Sequence, residues 1–114
     1  MIEKRAFPRF RFEARCVLKH DNRSYDGQMV NISLDGAMIS FNESTMVPQD
    51  EKCSLVIFMD SVDIPEQIEV VAVYSSLSFI GVKFIGFDEI TCPQLYGQIE
   101  MLSKKPEKYK VMFH

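Results

Sequence analysis

The chain has 114 residues, 46% of them hydrophobic, with 13 Lys+Arg against 16 Asp+Glu and a formal charge of −3. One domain of this length buries enough surface for a core without disulfides or metal, and its 9 Phe with many Val and Ile exclude disorder. No apolar run approaches the roughly 18 residues of a membrane span, so membrane insertion is not expected. The start, Met1-Ile2-Glu3-Lys4-Arg5, lacks the apolar stretch of a secretory signal, which makes the cytosol the expected compartment. Cys16, Cys53 and Cys92 agree with that placement. They are odd in number and widely spaced, with no CxxC pair, and read as reduced thiols rather than a disulfide framework or zinc site.

Residues 1–9 form a basic leader. From Phe10 the dominant period is two: Phe10, Phe12, Ala14, Cys16 and Leu18 alternate with Arg11, Glu13, Arg15, Val17 and Lys19, the pattern of a strand with one buried face. His20-Asp21-Asn22-Arg23 supplies turn chemistry, and a second strand is predicted over 24–30. Asn31 to Gly36 reads as a loop, after which Ala37, Ile39 and Phe41 resume the alternation. Asn42 to Lys52 is a polar connection. Strands are predicted over 53–59, 68–74 and 79–85, the first two separated by an acidic, proline-containing stretch. In the later strands both faces carry apolar residues (Val70, Val71, Ala72, Val73), which predicts a cover over part of the outside.

A helix over 91–105 is the predicted cover. Thr91 and Gln94 have capping-box spacing, Pro93 falls in the first turn, and Leu95, Ile99 and Leu102 recur at helical spacing. Lys104 and Lys105 suit the negative end of its dipole, and Pro106 ends it. The expected fold is therefore all-β with one C-terminal helix. It is a small antiparallel β-barrel of six to seven strands over 10–87, followed by the helix and a tail over 106–114 that is apolar at Tyr109, Val111, Met112 and Phe113.

Charge is unevenly placed. Residues 1–23 hold Lys4, Arg5, Arg9, Arg11, Arg15, Lys19 and Arg23 against Glu3, Glu13 and Asp21, whereas the remaining 91 residues hold 6 lysines and 13 acids. Arginine's planar fork suits phosphates and guanine edges. An otherwise acidic chain is poorly suited to long nucleic acid, which needs a broad basic footprint, and better suited to a small anion held near the N-terminus. Catalysis is not expected. His20 falls in a turn, His114 is the last residue, and no metal-ligand cluster or phosphate-binding glycine loop appears.

Two short motifs stand out together. Arg5-Ala6-Phe7-Pro8-Arg9 is an RxxxR pentapeptide just before the first strand, and Asn31-Ile32-Ser33-Leu34-Asp35-Gly36 fits [D/N]xSxxG between two strands. With Gly81-Val82-Lys83-Phe84 preceding a helix, the chain resembles the PilZ domain family of bacterial cyclic di-GMP receptors. The physical fit is direct. A cyclic diguanylate presents two phosphodiesters and two guanine edges, both of which arginine can hold through paired hydrogen bonds. Asn31 and Ser33 would share one face if that stretch is extended, and Gly36 tolerates positive φ or close approach.

The resemblance implies that Arg5 and Arg9 grip phosphate and guanine, that Asn31 and Ser33 hydrogen-bond a guanine, and that Gly36 permits the approach. Lys4 and Asp35 are additional candidates. Arg11 and Arg15, on the outward face of the first strand, read as ordinary surface charges. Cyclic di-GMP is thus the expected ligand, with no other cofactor, and an effector protein contacted directly is the expected partner because no room remains for an output domain. Two other readings stay open: a PilZ-like protein-interaction module without nucleotide, and a barrel that binds single-stranded nucleic acid through Phe7, Phe10 or Phe12.

Overall fold

Strands with one apolar face need a common interior and leave unpaired edges, and closing the sheet on itself answers both needs. The computed structural model of the chain describes residues 7–60 and 63–104. Its elements are β1 (Phe10–Arg11), β2 (Arg15–His20), β3 (Arg23–Ile32), β4 (Gly36–Phe41), β5 (Lys52–Phe58), β6 (Glu66–Ser75), β7 (Phe79–Ile85) and α1 (Pro93–Ser103). All pairings are antiparallel. They run β3-β2-β5-β6-β7-β4, and pairing of β4 with β3 closes these six strands into a barrel. β1 adds to β3 beyond the end of β2. The expected all-β barrel with one C-terminal helix is the fold observed.

Three irregularities depart from simple alternation. The stretch read as one strand from Phe10 to Lys19 is broken. Arg11 pairs with Asn31 and Arg15 with Gln28, so four steps on one side face three on the other. The extra residue is absorbed between Phe12 and Ala14, where Phe12 N–H donates to the Val30 carbonyl (3.2 Å) and Met29 N–H to the Ala14 carbonyl (2.8 Å). Opposite, β3 carries its own bulge at Val30, because Met29 pairs with Ile39 but Asn31 with Met38. The extra residue keeps Met29 and Ile32 both buried while Val30 and Asn31 stay toward the outside. The third bulge is Val73, between the pairs Ala72–Val82 and Tyr74–Gly81.

β6 also corrects the expectation of a cover over the later strands. Val70 and Ala72 point into the core, whereas Val73 and Tyr74 remain exposed. Val71 and Val73 lie on the outer face by ordinary alternation without a covering helix, and the inserted residue adds Tyr74 to that side. Instead α1 packs at the barrel end, burying Leu95 and Ile99 in the same cluster as Phe10 and Phe84. Each such burial contributes about 2 kcal/mol.

The helix begins differently from the predicted capping box. Cys92 occupies the N-cap without a side-chain cap, and Thr91 turns back to Asp88. Asp88 Oδ1 accepts from the backbone of Thr91 (2.8 Å) and Ile90 (2.9 Å). Hydrogen bonds from the Thr91 backbone and hydroxyl hold the Asp88 carboxyl below the usual carboxylate range. The first helical amides are satisfied from β6: Glu66 accepts from Gln94 N–H (3.0 Å) and Leu95 N–H (2.8 Å). A carboxylate here also complements the positive end of the dipole. The helix is described as far as Ser103 with Lys104 as its C-cap; Lys105 and the tail lie outside the described residues.

Two outcomes follow from this packing. Glu66→Ala exposes two unpaired amides and should lower unfolding free energy by about 1–2 kcal/mol, read as a lower urea midpoint with unchanged slope. All three cysteines are buried and free. Burial pushes the Cys16 thiol up to about 12 and the Cys53 thiol to about 11, and raises Cys92 as well. A thiol reagent at mildly alkaline pH should leave the folded protein unmodified and react with all three thiols once it is unfolded.

Candidate functional site

The two motifs meet where β1 lies against β3. Phe10 is buried at 2% exposure, which turns its neighbours Arg9 and Arg11 toward the outer surface. From there Arg9 reaches along β3, and its Nη1 donates to Asn31 Oδ1 at 3.4 Å although 22 residues separate them. The second arginine of RxxxR and the first residue of NxSxxG are therefore in direct contact. Arg5 and Lys4 lie outside the described residues.

Asn31 is half-buried on the outer face of β3 and sits in a continuous cross-strand row. Arg11 of β1 pairs with Asn31, Asn31 with Met38 of β4, Met38 with Gly81 of β7, and Gly81 with Tyr74 of β6. Two arginines stand at one end of this row. Met38 and the half-exposed Tyr74 continue it as an apolar floor, each close to the position a Gly81 side chain would take.

The remaining motif residues build the β3–β4 turn. β3 ends at Ile32, so the stretch is not extended through Ser33 and the reading that Asn31 and Ser33 share a face does not hold. Ser33 is fully buried. Its hydroxyl donates to Asp35 Oδ1 at 2.5 Å and accepts from Asp35 N–H at 3.2 Å, while its own N–H donates to the Gly36 carbonyl at 2.8 Å. The Asp35 carbonyl in turn accepts from Phe84 N–H at 2.9 Å, tying the turn to β7. Gly36 has no positive φ, and its need for glycine is steric. A β-carbon there would lie 2.2 Å from the Val82 carbonyl oxygen. What approaches Gly36 closely is β7.

Two larger pockets among the described residues carry acidic side chains in their lining. A pocket of about 440 Å³ beside the β2–β3 hairpin is lined by Asp21 and Glu51 as well as Arg23, and one of about 370 Å³ near Asn42 by Asp26 and Glu43. His20, read as a turn residue, is the buried last residue of β2. Its Nε2 lies 3.1 Å from Glu51 Oε1, a link between the hairpin and the start of β5. No cluster of metal-ligating side chains occurs among the described residues. Sequence reasoning passed over the place of Arg11. Its signal was the spacing from Phe10, which the assumption of one unbroken strand obscured.

The geometry sets one expected outcome. Gly36→Ala should destabilise the fold by more than the ~1 kcal/mol of a backbone-entropy effect, because neither β4 nor β7 can retreat without losing barrel pairing. Thermal unfolding checks this: a melting temperature within a degree of wild type would show that the strands yield freely.

Comparison with known proteins agrees with this architecture. The PilZ domain of Escherichia coli YcgR, solved with c-di-GMP, superposes with a TM-score of 0.74 at 13% identity, covering 90% of this chain and 93% of that one. The Bacillus subtilis inhibitor of motility, MotI/DgrA, superposes with a TM-score of 0.69 at 14% identity, covering 91% of this chain. This chain spans about half, 54%, of that protein's length. At such identities the likeness is one of fold. No curated protein sequence matches the chain. The sequence model for the PilZ domain, however, matches residues 3–100, nearly the whole chain, and the chain belongs to the PilZ domain family.

Proposed function

We propose that this chain is a bacterial, cytoplasmic receptor for cyclic di-GMP that signals to an effector protein by contact. The observation that carries the reading is the Arg9–Asn31 contact, which joins the two motifs at one outward-facing spot. The amide-bound guanidinium stands on the motif face, where it can meet a phosphate or a guanine edge. Solution of the YcgR domain with c-di-GMP supports the choice of ligand. In this reading Arg9 and Asn31 touch the ligand, joined by Arg5 and Lys4 from the leader. Ser33, Asp35 and Gly36 act by holding the turn that presents Asn31. Binding closes the leader over the row and orders it against the barrel.

One observation favours the interaction-module reading. Ser33 and Gly36 are required by the turn itself, so their presence does not argue for nucleotide. The weight falls on Arg9 and Asn31, which meet on the outer face, and on Arg5 from the leader. Single-stranded nucleic acid is disfavoured because Phe10 is buried and Phe12 packs against the core.

Isothermal titration with cyclic di-GMP, with linear pGpG as control, should show saturable binding at micromolar concentration or better and selectivity for the cyclic form. Arg9→Ala should weaken binding by roughly tenfold or more while unfolding stays cooperative, since a charge-assisted hydrogen bond is worth about 1.5–3 kcal/mol. Absence of binding by the wild type would leave the protein-interaction module and shift the search to its partner.

A further inference from the structure

We infer that Arg11, outside both motifs, is a third ligand-gripping arginine of this site and contacts a phosphodiester of the bound cyclic dinucleotide; the inference rests on the proposed function above. The register carries it. Arg11 is the β1 residue directly opposite Asn31, and the burial of Phe10 places Arg9 and Arg11 on the same outer side. Arg9 does not lie opposite Asn31, yet its guanidinium reaches the Asn31 amide. The two arginines that flank Phe10 thus approach Asn31 from one strand, Arg9 by side-chain contact and Arg11 by register.

Charge makes that arrangement informative. Like charges on neighbouring positions of one sheet face disfavour each other, and an anion between them removes the penalty. Among the described residues no carboxylate forms an ion pair with Arg11; the ion pairs they contain both belong to His20. Neutral Asn31 sits where a cross-strand acid would otherwise stand. It can offer hydrogen bonds to a guanine without competing with a phosphate for the arginines.

Arg15 provides the contrast. In the sequence it shares the outward parity of Arg11, and both read as surface charges. The bulge at Phe12–Ala14 separates them: Arg15 pairs with Gln28 and Phe58, and its guanidinium carbon lies 4.2 Å from the centre of the Phe58 ring. Its charge is occupied by an aromatic face on the β2–β5 side. Arg11 is the last residue before the bulge and the last in register with Asn31. A break in the strand therefore divides one arginine with a structural partner from one held in register with the motif.

The test is calorimetric titration of cyclic di-GMP into wild type, Arg11→Gln, Arg11→Lys and Arg15→Gln. Arg11→Gln should raise Kd roughly tenfold or more and make it less sensitive to salt, because one desolvated charge contact is gone. Arg11→Lys should recover part of the loss, since it restores charge without the fork. Arg15→Gln should bind as wild type does. Unchanged affinity and salt dependence in Arg11→Gln would overturn the role of Arg11 while leaving the receptor reading intact. No binding by the wild type would overturn that reading, and this role with it. Should Arg11→Gln not unfold cooperatively, the wild-type Arg11 Nε–Hε resonance decides: a shift saturating with cyclic di-GMP supports the contact, and a static resonance removes it.

Discussion

Barrel closure in this protein runs through β4, the only strand that pairs with both β3 and β7 among those described, and it is tightest at Gly36. There the Val82 carbonyl occupies the space a side chain would need. With that approach in place, the turn before it has little freedom. Ser33 folds its hydroxyl onto Asp35 and its amide onto Gly36, and the Asp35 carbonyl takes the Phe84 amide. β3 then has to arrive at the turn with Ile32 inside and Asn31 outside. The site residue that faces solvent is positioned by a chain of backbone constraints whose origin is the lack of one carbon.

This order of dependence changes what the second motif means. Two of its three marked positions, Ser33 and Gly36, are explained by a buried turn joined to two strands, and a domain that bound nothing would need them equally. Asn31 is different, since barrel closure only requires that its side chain point away from the core. Its pairing with Arg9 and its register with Arg11 are what relate it to an anion. The distinction matters for mutagenesis under the proposed function: a loss of binding after changing Gly36 or Ser33 would report on the barrel, whereas the arginines and Asn31 would report on the ligand.

Much of the architecture was legible in the sequence because a period of two survives wherever a strand is regular. The β7 segment from Phe79 to Ile85 and the helix stripe of Leu95 and Ile99 are read from spacing alone. What spacing does not carry is the position of an inserted residue. Val30, Val73 and the Phe12–Ala14 step each leave the apolar pattern plausible on both sides, so the break shows only when a partner strand fixes the register. The capping of α1 was missed for a related reason. Its acceptor, Glu66, lies 28 residues before Gln94, and local capping rules reach only a turn away. At the site, the pairing of the motifs was legible as composition, whereas the burial of Ser33 and the place of Arg11 depend on those same unseen registers.

Residues Phe7 and Pro8 share a groove with α1. Phe7, two residues before Arg9, borders a groove of about 160 Å³ together with Phe10, Leu34, Tyr96 and Ile99. Leu34 belongs to the β3–β4 turn, so the leader, the motif turn and the helix share one small apolar space. Under the proposed function, a movement of Arg9 toward the ligand would displace Phe7 and Pro8, which line the same groove as Tyr96 and Ile99 of the helix. Beyond Tyr96 the contact passes to Phe87 (5.7 Å between ring centres) and on to Phe84 (4.8 Å) at the end of β7. The helix is anchored at its first turn by Glu66, while the groove reaches Ser103 in its last. Under the proposed function, a displacement at the leader would reach α1 along this groove, from Tyr96 beside the Glu66 anchor to Ser103 at the far end, and an effector reading the domain by contact would read that face.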